Sequence, residues 1–149
     1  MDIIFWRHAL VEPSTLPDLQ RELSAEGHAQ AAYTAGVLNS HLPQDCKIFV
    51  SPAQRAIQTA NALQRPFEID PRLAPGAKPQ TLLDVAQWPN GEGTVLLVGH
   101  EPAIGLAVSM AMFGHQNGVE VKNSWAYWIS QKEQDGVLKA FSKGRIIPQ

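Results

Sequence analysis

Four residues of this 149-residue chain bring together side chains suited to one kind of chemistry: Arg7, His8, Arg55 and His100. Arg7-His8 directly follows the apolar run Ile3-Ile4-Phe5-Trp6. Ser51-Pro52 follows Lys47-Ile48-Phe49-Val50, with Arg55 one turn further on, and His100-Glu101-Pro102 follows Thr94-Val95-Leu96-Leu97-Val98-Gly99. Guanidinium forks match the oxygens of a phosphate with paired hydrogen bonds. Histidine is the side chain best able to be a neutral nucleophile near pH 7 and also a proton donor. Neighbouring Arg charges disfavour imidazolium at His8, which keeps its lone pair available, and the same charges stabilise a phosphoryl group in transfer. The residue types therefore suggest phosphoryl transfer through a histidine, with no cofactor. A metal site built from His8, His100 and Glu101 would place Arg7 and Arg55 beside a divalent cation, which is electrostatically poor.

Each feature alone has a plainer meaning. A histidine after a strand is usually a loop residue, and an arginine on a helix usually covers apolar surface or pairs with a surface acid. Ser-Pro is a routine helix start. What these readings leave unexplained is that all the features fall at strand carboxyl ends and none at amino ends.

The elements that must position them are legible as alternation. The three apolar runs, each stopped by polar residues, read as buried strands. Ser24 caps a helix whose inner face is read as Ala29, Tyr33, Gly36 and Val37. Ser51-Pro52 opens a second helix, with Ser as cap, Pro at the first helical position and the stripe Ala56, Ile57, Ala60 and Leu63. A third helix runs through Thr81 to Gln87, closed by Pro89-Asn90-Gly91. A fourth, Ala103 to Phe113, is apolar nearly all round. Arg65 to Gln80, with four prolines, reads as an irregular excursion with a short extended piece at Phe67-Glu68-Ile69. Two late strands, Trp125 to Ser130 and Val137 to Phe141, suggest a hairpin around Glu133-Gln134-Asp135-Gly136. The pattern predicts a three-layer α/β/α fold with a largely parallel sheet, and residues 1–149 read as one domain. In such a sheet, ligands bind beyond the strand carboxyl ends.

Composition sets the bounds. Lys+Arg 12 against Asp+Glu 14 gives a net charge of -2, which excludes a strongly basic nucleic-acid coat. One cysteine, Cys46, excludes an internal disulfide and any Cys-based zinc site, and fits a reducing compartment. No apolar run has the roughly 18 residues of a membrane span, and the N-terminus does not read as a signal peptide. The expectation is a cytoplasmic monomer without nucleic-acid or membrane partners.

Arg7-His8-Ala9 resembles the Arg-His-Gly signature of the histidine phosphatase superfamily, which has the phosphoglycerate-mutase-like fold. Leu23-Ser24-Ala25-Glu26-Gly27-His28-Ala29-Gln30-Ala31 is similar to that family's Leu-Thr-x-x-Gly-x-x-Gln-Ala segment. Ser51 to Ala60 resembles its Ser-x-x-x-Arg helix start, and Gly99-His100 its late Gly/Ser-His turn. The short length and the Gly-His-Glu-Pro turn point to the SixA-type phosphohistidine phosphatases. The resemblance implies that His8 accepts the phosphoryl group, Arg7 and Arg55 bind its oxygens, and His100 donates to one of them. It places Arg21 among the substrate-binding residues and leaves Ser51 as a capping residue. It implies a phosphorylated histidine-containing phosphotransfer or phosphocarrier protein as partner, in signal transduction.

Two departures from the pattern matter. Ala9 stands where the family has Gly, a change of consequence only where the backbone needs a positive φ. The segment Leu73-Ala74-Pro75-Gly76-Ala77-Lys78-Pro79 has no acid where ester-cleaving branches supply one. An alkoxide needs general-acid help to leave, whereas a phosphoimidazole does not. That absence favours a P–N substrate over a sugar phosphate and argues against mutase activity. Glu12, Asp18 or Glu101 could still serve as the acid from elsewhere. The alternatives are a small-molecule phosphate-ester phosphatase of the same fold and a non-catalytic phosphoprotein-binding module. His28, His41 and His115 follow no strand and receive no role. Met110 and Met112 read as packing, and Trp125, Tyr127 and Trp128 chiefly as core.

Overall fold

A computed structural model describes residues 1–131 and the backbone of 141–146. Its strands are β1 (Asp2–Arg7), β2 (Lys47–Val50), β3 (Glu68–Ile69), β4 (Thr94–Gly99), β5 (Ala126–Ser130) and β6 (Phe141–Ile146). The helices are α1 (Ala25–Asn39), α2 (Gln54–Asn61), α3 (Pro79–Ala86) and α4 (Ala103–Phe113). The strands form one sheet in the order β3-β2-β4-β1-β5-β6. Pairing is parallel from β3 through β1 and antiparallel at β5 and β6.

The central strands read as unbroken apolar runs because both faces of the sheet are covered. Successive side chains alternate between faces. Ile3, Phe5, Val95 and Leu97 pack with α3 and α4 residues such as Leu82, Ile104 and Val108. Ile4, Trp6, Leu96 and Val98 pack with α1 and α2 residues such as Ala31, Leu38, Ala56 and Ala60. The result is the expected α/β/α layering.

This layering also locates the crevice. β1 and β4 are neighbours in register, with Arg7 opposite Gly99. The helix after β1 lies on one face and the helix after β4 on the other. Chains that leave adjacent parallel strands toward opposite faces open a gap at the carboxyl ends. His8 and His100 are the first residues beyond those two strands.

Several expected details differ. α1 buries Gly27, Ala31, Thr34, Ala35 and Leu38, while Ala29, Tyr33 and Gly36 face solvent and Val37 is half-buried. Alanines occur all round this helix, so apolar spacing gave little contrast. Its packed face is instead chosen by smallness, because a Cβ on Gly27 would run into the Leu10 carbonyl oxygen. α2 begins at Gln54 with Ala53 as its cap, rather than at Ser51-Pro52. Ser51 Oγ still accepts from Ala53 N–H at 3.1 Å, so the serine organises the turn before the helix. The excursion after residue 65 adds the edge strand β3, a 3-10 turn at Pro71–Leu73 and the start of α3. The last strand lies at Phe141–Ile146 rather than ending at Phe141, because its pairing is set by β5 and not by local apolarity. Residues 137–140 and the turn at 133–136 lie outside the described residues.

Candidate active site

The backbone at His8 is fixed from three sides. His8 N–H donates to Gly99 O at 3.1 Å, and its carbonyl accepts from Ser124 N–H at 3.1 Å and Asn123 Nδ2 at 3.3 Å. Ala9 N–H donates to Thr59 Oγ1 at 3.0 Å, and that hydroxyl in turn donates to Arg55 O at 2.7 Å. The turn after β1 is thereby joined to β4, to α2 and to the segment before β5. Ala9 is fully buried and is not among the residues with positive φ, so the methyl group in place of Gly is accommodated. Gln30 Oε1 accepts from Leu10 N–H at 3.0 Å and Ser24 caps α1 through Gly27 N–H at 3.0 Å. These contacts give the Leu23 to Ala31 segment a physical purpose: it holds the chain leaving His8.

His8 is 8% exposed, and its Nδ1 lies 2.8 Å from Ala9 O. A carbonyl oxygen only accepts, so Nδ1 carries the proton and Nε2 keeps its lone pair. Burial chiefly, opposed by the Ala9 hydrogen bond and aided by the charges of Arg55, Arg7 and Arg21, pushes the pKa of His8 down to about 4. The ring is therefore neutral at pH 7 with Nε2 available for attack.

His100 stands 5.2 Å away, centroid to centroid. Burial, followed by the charges of the neighbouring cationic groups, pushes its pKa down to about 3. Its Nε2 lies 2.7 Å from Ser51 Oγ. Because that oxygen already accepts from Ala53 N–H, its own hydrogen is free to point at Nε2. With the hydroxyl donating, the His100 proton sits on Nδ1, a buried atom with no partner in the described residues. Ser51 is more than the turn-former the sequence suggested: it also bonds the His100 ring.

Arg55 is 6% exposed, the second residue of α2. Its Nη1 donates to Asp18 O at 2.7 Å and its Nη2 to Asp18 Oδ2 at 3.2 Å. Arg21 Nη1 lies 3.8 Å from Asp18 Oδ1. The cationic cluster thus has an acidic partner that sequence order hid, because it comes from an exposed loop between β1 and α1. Arg7 Nη1 donates to Val121 O at 2.9 Å. Burial lowers the pKa of Arg7, and the nearby Glu101 charge partly offsets this.

Four buried side-chain polar atoms lack partners among the described residues, and three are Arg7 Nε, Arg21 Nε and His100 Nδ1. Arg7 Nε and Arg21 Nε are donors suited to an oxyanion, and His100 Nδ1 joins them in the tautomer that places its proton there. Arg7, His8, Arg55 and His100 lie around this crevice, and Arg21 joins them through Asp18, which it shares with Arg55.

The candidate acids separate. Glu12 is exposed, and only its backbone is engaged, with Glu22. Glu101 Oε1 accepts from Gly105 N–H at 2.7 Å in the first turn of α4, and burial raises its pKa. Asp70, the nearest acid before the 73–79 segment, is gripped by Arg72 at 2.7 Å, which holds it low. Among the described residues no three His, Cys, Asp or Glu groups are placed to hold a metal ion, and no helix is long and apolar enough to cross a membrane. Trp125 and Trp128 are buried, as expected, and Cys46 is half-buried. Thr59, Ser124 and Asn123 were missed, and Asp18, named only as a possible acid, is instead the partner of Arg55. Only Thr59 carried a signal, through its place in the Ser51 to Ala60 segment.

The fold and this crevice define a histidine phosphatase, and the comparisons agree. The model of the histidine phosphatase superfamily (branch 1) matches residues 3–78, and the chain belongs to that superfamily. No curated protein matches its sequence. The protein histidine phosphatase SixA complexed with tungstate superposes with a TM-score of 0.81 at 20% identity, covering 99% of this chain and 97% of that one. A protein of Agrobacterium tumefaciens assigned as the phosphohistidine phosphatase SixA gives 0.80 at 23%, over 99% and 97%. The phosphoserine phosphatase of Entamoeba histolytica with 3-phosphoglyceric acid gives 0.68 at 15%, over 97% and 95%. At these identities the likeness establishes the fold.

Proposed function

We propose that the chain is a protein phosphohistidine phosphatase working through phospho-His8. The observation that carries this reading is the His8 ring itself: buried, neutral, with Nδ1 pinned to Ala9 O and Nε2 free. Nε2 attacks phosphorus, the leaving nitrogen takes back its bonding electrons, and the Ala9 carbonyl receives the N–H of the resulting phosphoimidazolium. Water then attacks the phosphoenzyme, releasing phosphate and neutral His8. Arg7, Arg21 and Arg55 bind the phosphoryl oxygens, and His100 donates to one through Nδ1. That a SixA neighbour was solved with tungstate, a tetrahedral oxyanion, supports the anion assignment. The larger similarity to the SixA structures than to the phosphoserine phosphatase, and the acid-free 73–79 segment, support a P–N bond over an ester. The proposed partner is a phosphorylated histidine-containing phosphotransfer or phosphocarrier protein.

The test exposes purified chain to such a phosphoprotein in excess chelator, beside His8→Ala. Phosphate release by the native chain alone is the expected result. Inertness there with hydrolysis of alkyl phosphates would make it an ester phosphatase, and inertness toward both would make it a binding module.

A further inference from the structure

Asp18 raises a difficulty. A carboxylate beside a phosphoryl site weakens binding of the dianion, yet here one is built in, bonded to Arg55 by both its backbone and its side chain and approached by Arg21. The side chain of Arg55 is 8% exposed and that of Asp18 55%. The carboxylate therefore stands between the buried floor of the crevice and solvent, with lone pairs left for another donor. Its charge also reaches His100. In in-line transfer to the buried His8, the departing group leaves on the outward side. A substrate that is anionic throughout gains nothing from an ionised carboxylate there. One that joins a phosphoryl anion to a cationic leaving group does.

Building on the phosphohistidine reading, we propose that Asp18 is the specificity residue for an imidazole leaving group: its carboxylate, anchored by Arg55 and Arg21 at the mouth of the crevice, accepts the N–H of the substrate ring. The substrate ring carries phosphorus on one nitrogen and a proton on the other. Its P–N bond breaks with the electron pair returning to the substrate nitrogen, while the lone pair of His8 Nε2 forms the new P–N bond. The substrate departs as neutral imidazole with its proton still against Asp18. His8 becomes the phosphoimidazolium with its proton still against Ala9 O. No proton changes place, so this step needs no general acid. An alkoxide leaving group has no N–H for Asp18 to accept and would lack the proton it requires.

The test compares kcat/KM for phosphohistidine with kcat/KM for an aryl phosphate, whose leaving group has no N–H, in native, Asp18→Asn and Asp18→Glu chains. A hydrogen bond to a charged group is worth about tenfold to a hundredfold. Asp18→Asn is expected to lower the phosphohistidine-to-aryl ratio by about that factor, with Asp18→Glu recovering part of it. An unchanged ratio, whether or not both activities fall together, would overturn the proposal and leave Asp18 a clamp for Arg55. If the native chain cleaves aryl phosphate and not phosphohistidine, the phosphohistidine reading itself has failed, an outcome separate from that one.

Discussion

The His8 ring offers the sharpest test, because its ionisation and its tautomer follow from different contacts. Its pKa of about 4 against an ordinary value of 6.5 means that charging the ring in the folded protein is disfavoured by roughly 3 kcal/mol. At pH 5.5 about nine-tenths or more of His8 is then neutral, whereas an unperturbed histidine would be about one-tenth neutral. Histidine-labelled protein followed by 15N NMR between pH 4 and 8, with His8 assigned by its loss in His8→Asn, reads both quantities. The expected spectrum shows protonated Nδ1 and unprotonated Nε2 down to pH 5. Burial is the largest cause of the shift and Arg55 the largest of the lowering charges. Arg55→Gln should therefore raise the pKa while leaving it below 6.5. A native His8 titrating near 6.5, or one protonated on Nε2, would refute the assignment of Nε2 as nucleophile. Full return to 6.5 in Arg55→Gln would place the cause in charge rather than burial.

Ser51→Ala removes the hydroxyl that bonds the His100 ring, and kcat/KM is expected to fall tenfold or more with the fold intact by circular dichroism; unchanged kinetics would remove Ser51 from the site. Gly27→Ala drives a Cβ into the Leu10 carbonyl, so a loss of about 1–3 kcal/mol is expected in urea denaturation, and native-like stability would show that α1 does not pack that closely. In acid, unfolded His8 takes up a proton near pH 6.5 while folded His8 refuses it until about pH 4. Stability should thus fall as pH drops through that window by about 1.4 kcal/mol per unit, and His8→Asn should lose less between pH 7 and 5 than the native chain does. Equal losses in the two proteins would contradict the depressed pKa.

What was legible in the sequence is local or topological. β1, β2 and β4 announce themselves because a strand covered on both faces has no reason to alternate, and an abrupt end at Arg7-His8 or Gly99-His100 marks a carboxyl edge. The rule that ligands gather there placed four side chains in one crevice before any distance was known. The inner face of α1 was illegible because four of its five buried residues, Gly27, Ala31, Thr34 and Ala35, are small or polar, and Gly27 is there for its close approach to Leu10. Asp18 was legible as a possible acid, but its pairing with Arg55 was not. Its partner is 37 residues away across a loop with no periodic pattern, and nothing in Pro17-Asp18-Leu19 distinguishes it from a solvated acid. Ser51 looked like a cap because its bond to Ala53 is local, while its second bond, to His100, depends on β2 and β4 lying side by side.

The unpaired donors and the depressed histidines are two expressions of one arrangement. Three arginines and two imidazoles converge where burial disfavours further positive charge, so the imidazoles stay neutral and Arg7 Nε, Arg21 Nε and His100 Nδ1 stay unmatched. Such a site is unfavourable on its own and persists because the surrounding structure fixes it: β1 and β4 are buried on both faces, and the backbone at His8 is bonded from β4, α2 and the 123–124 turn. A tetrahedral oxyanion answers both deficits, supplying acceptors to the donors and negative charge to the arginines. The same anion makes a positive charge on His8 tolerable, which is the state the proposed phospho-His8 intermediate would require. On the proposed reading, the crevice is matched to a phosphoryl group in transit, and the sheet holds its donors in place.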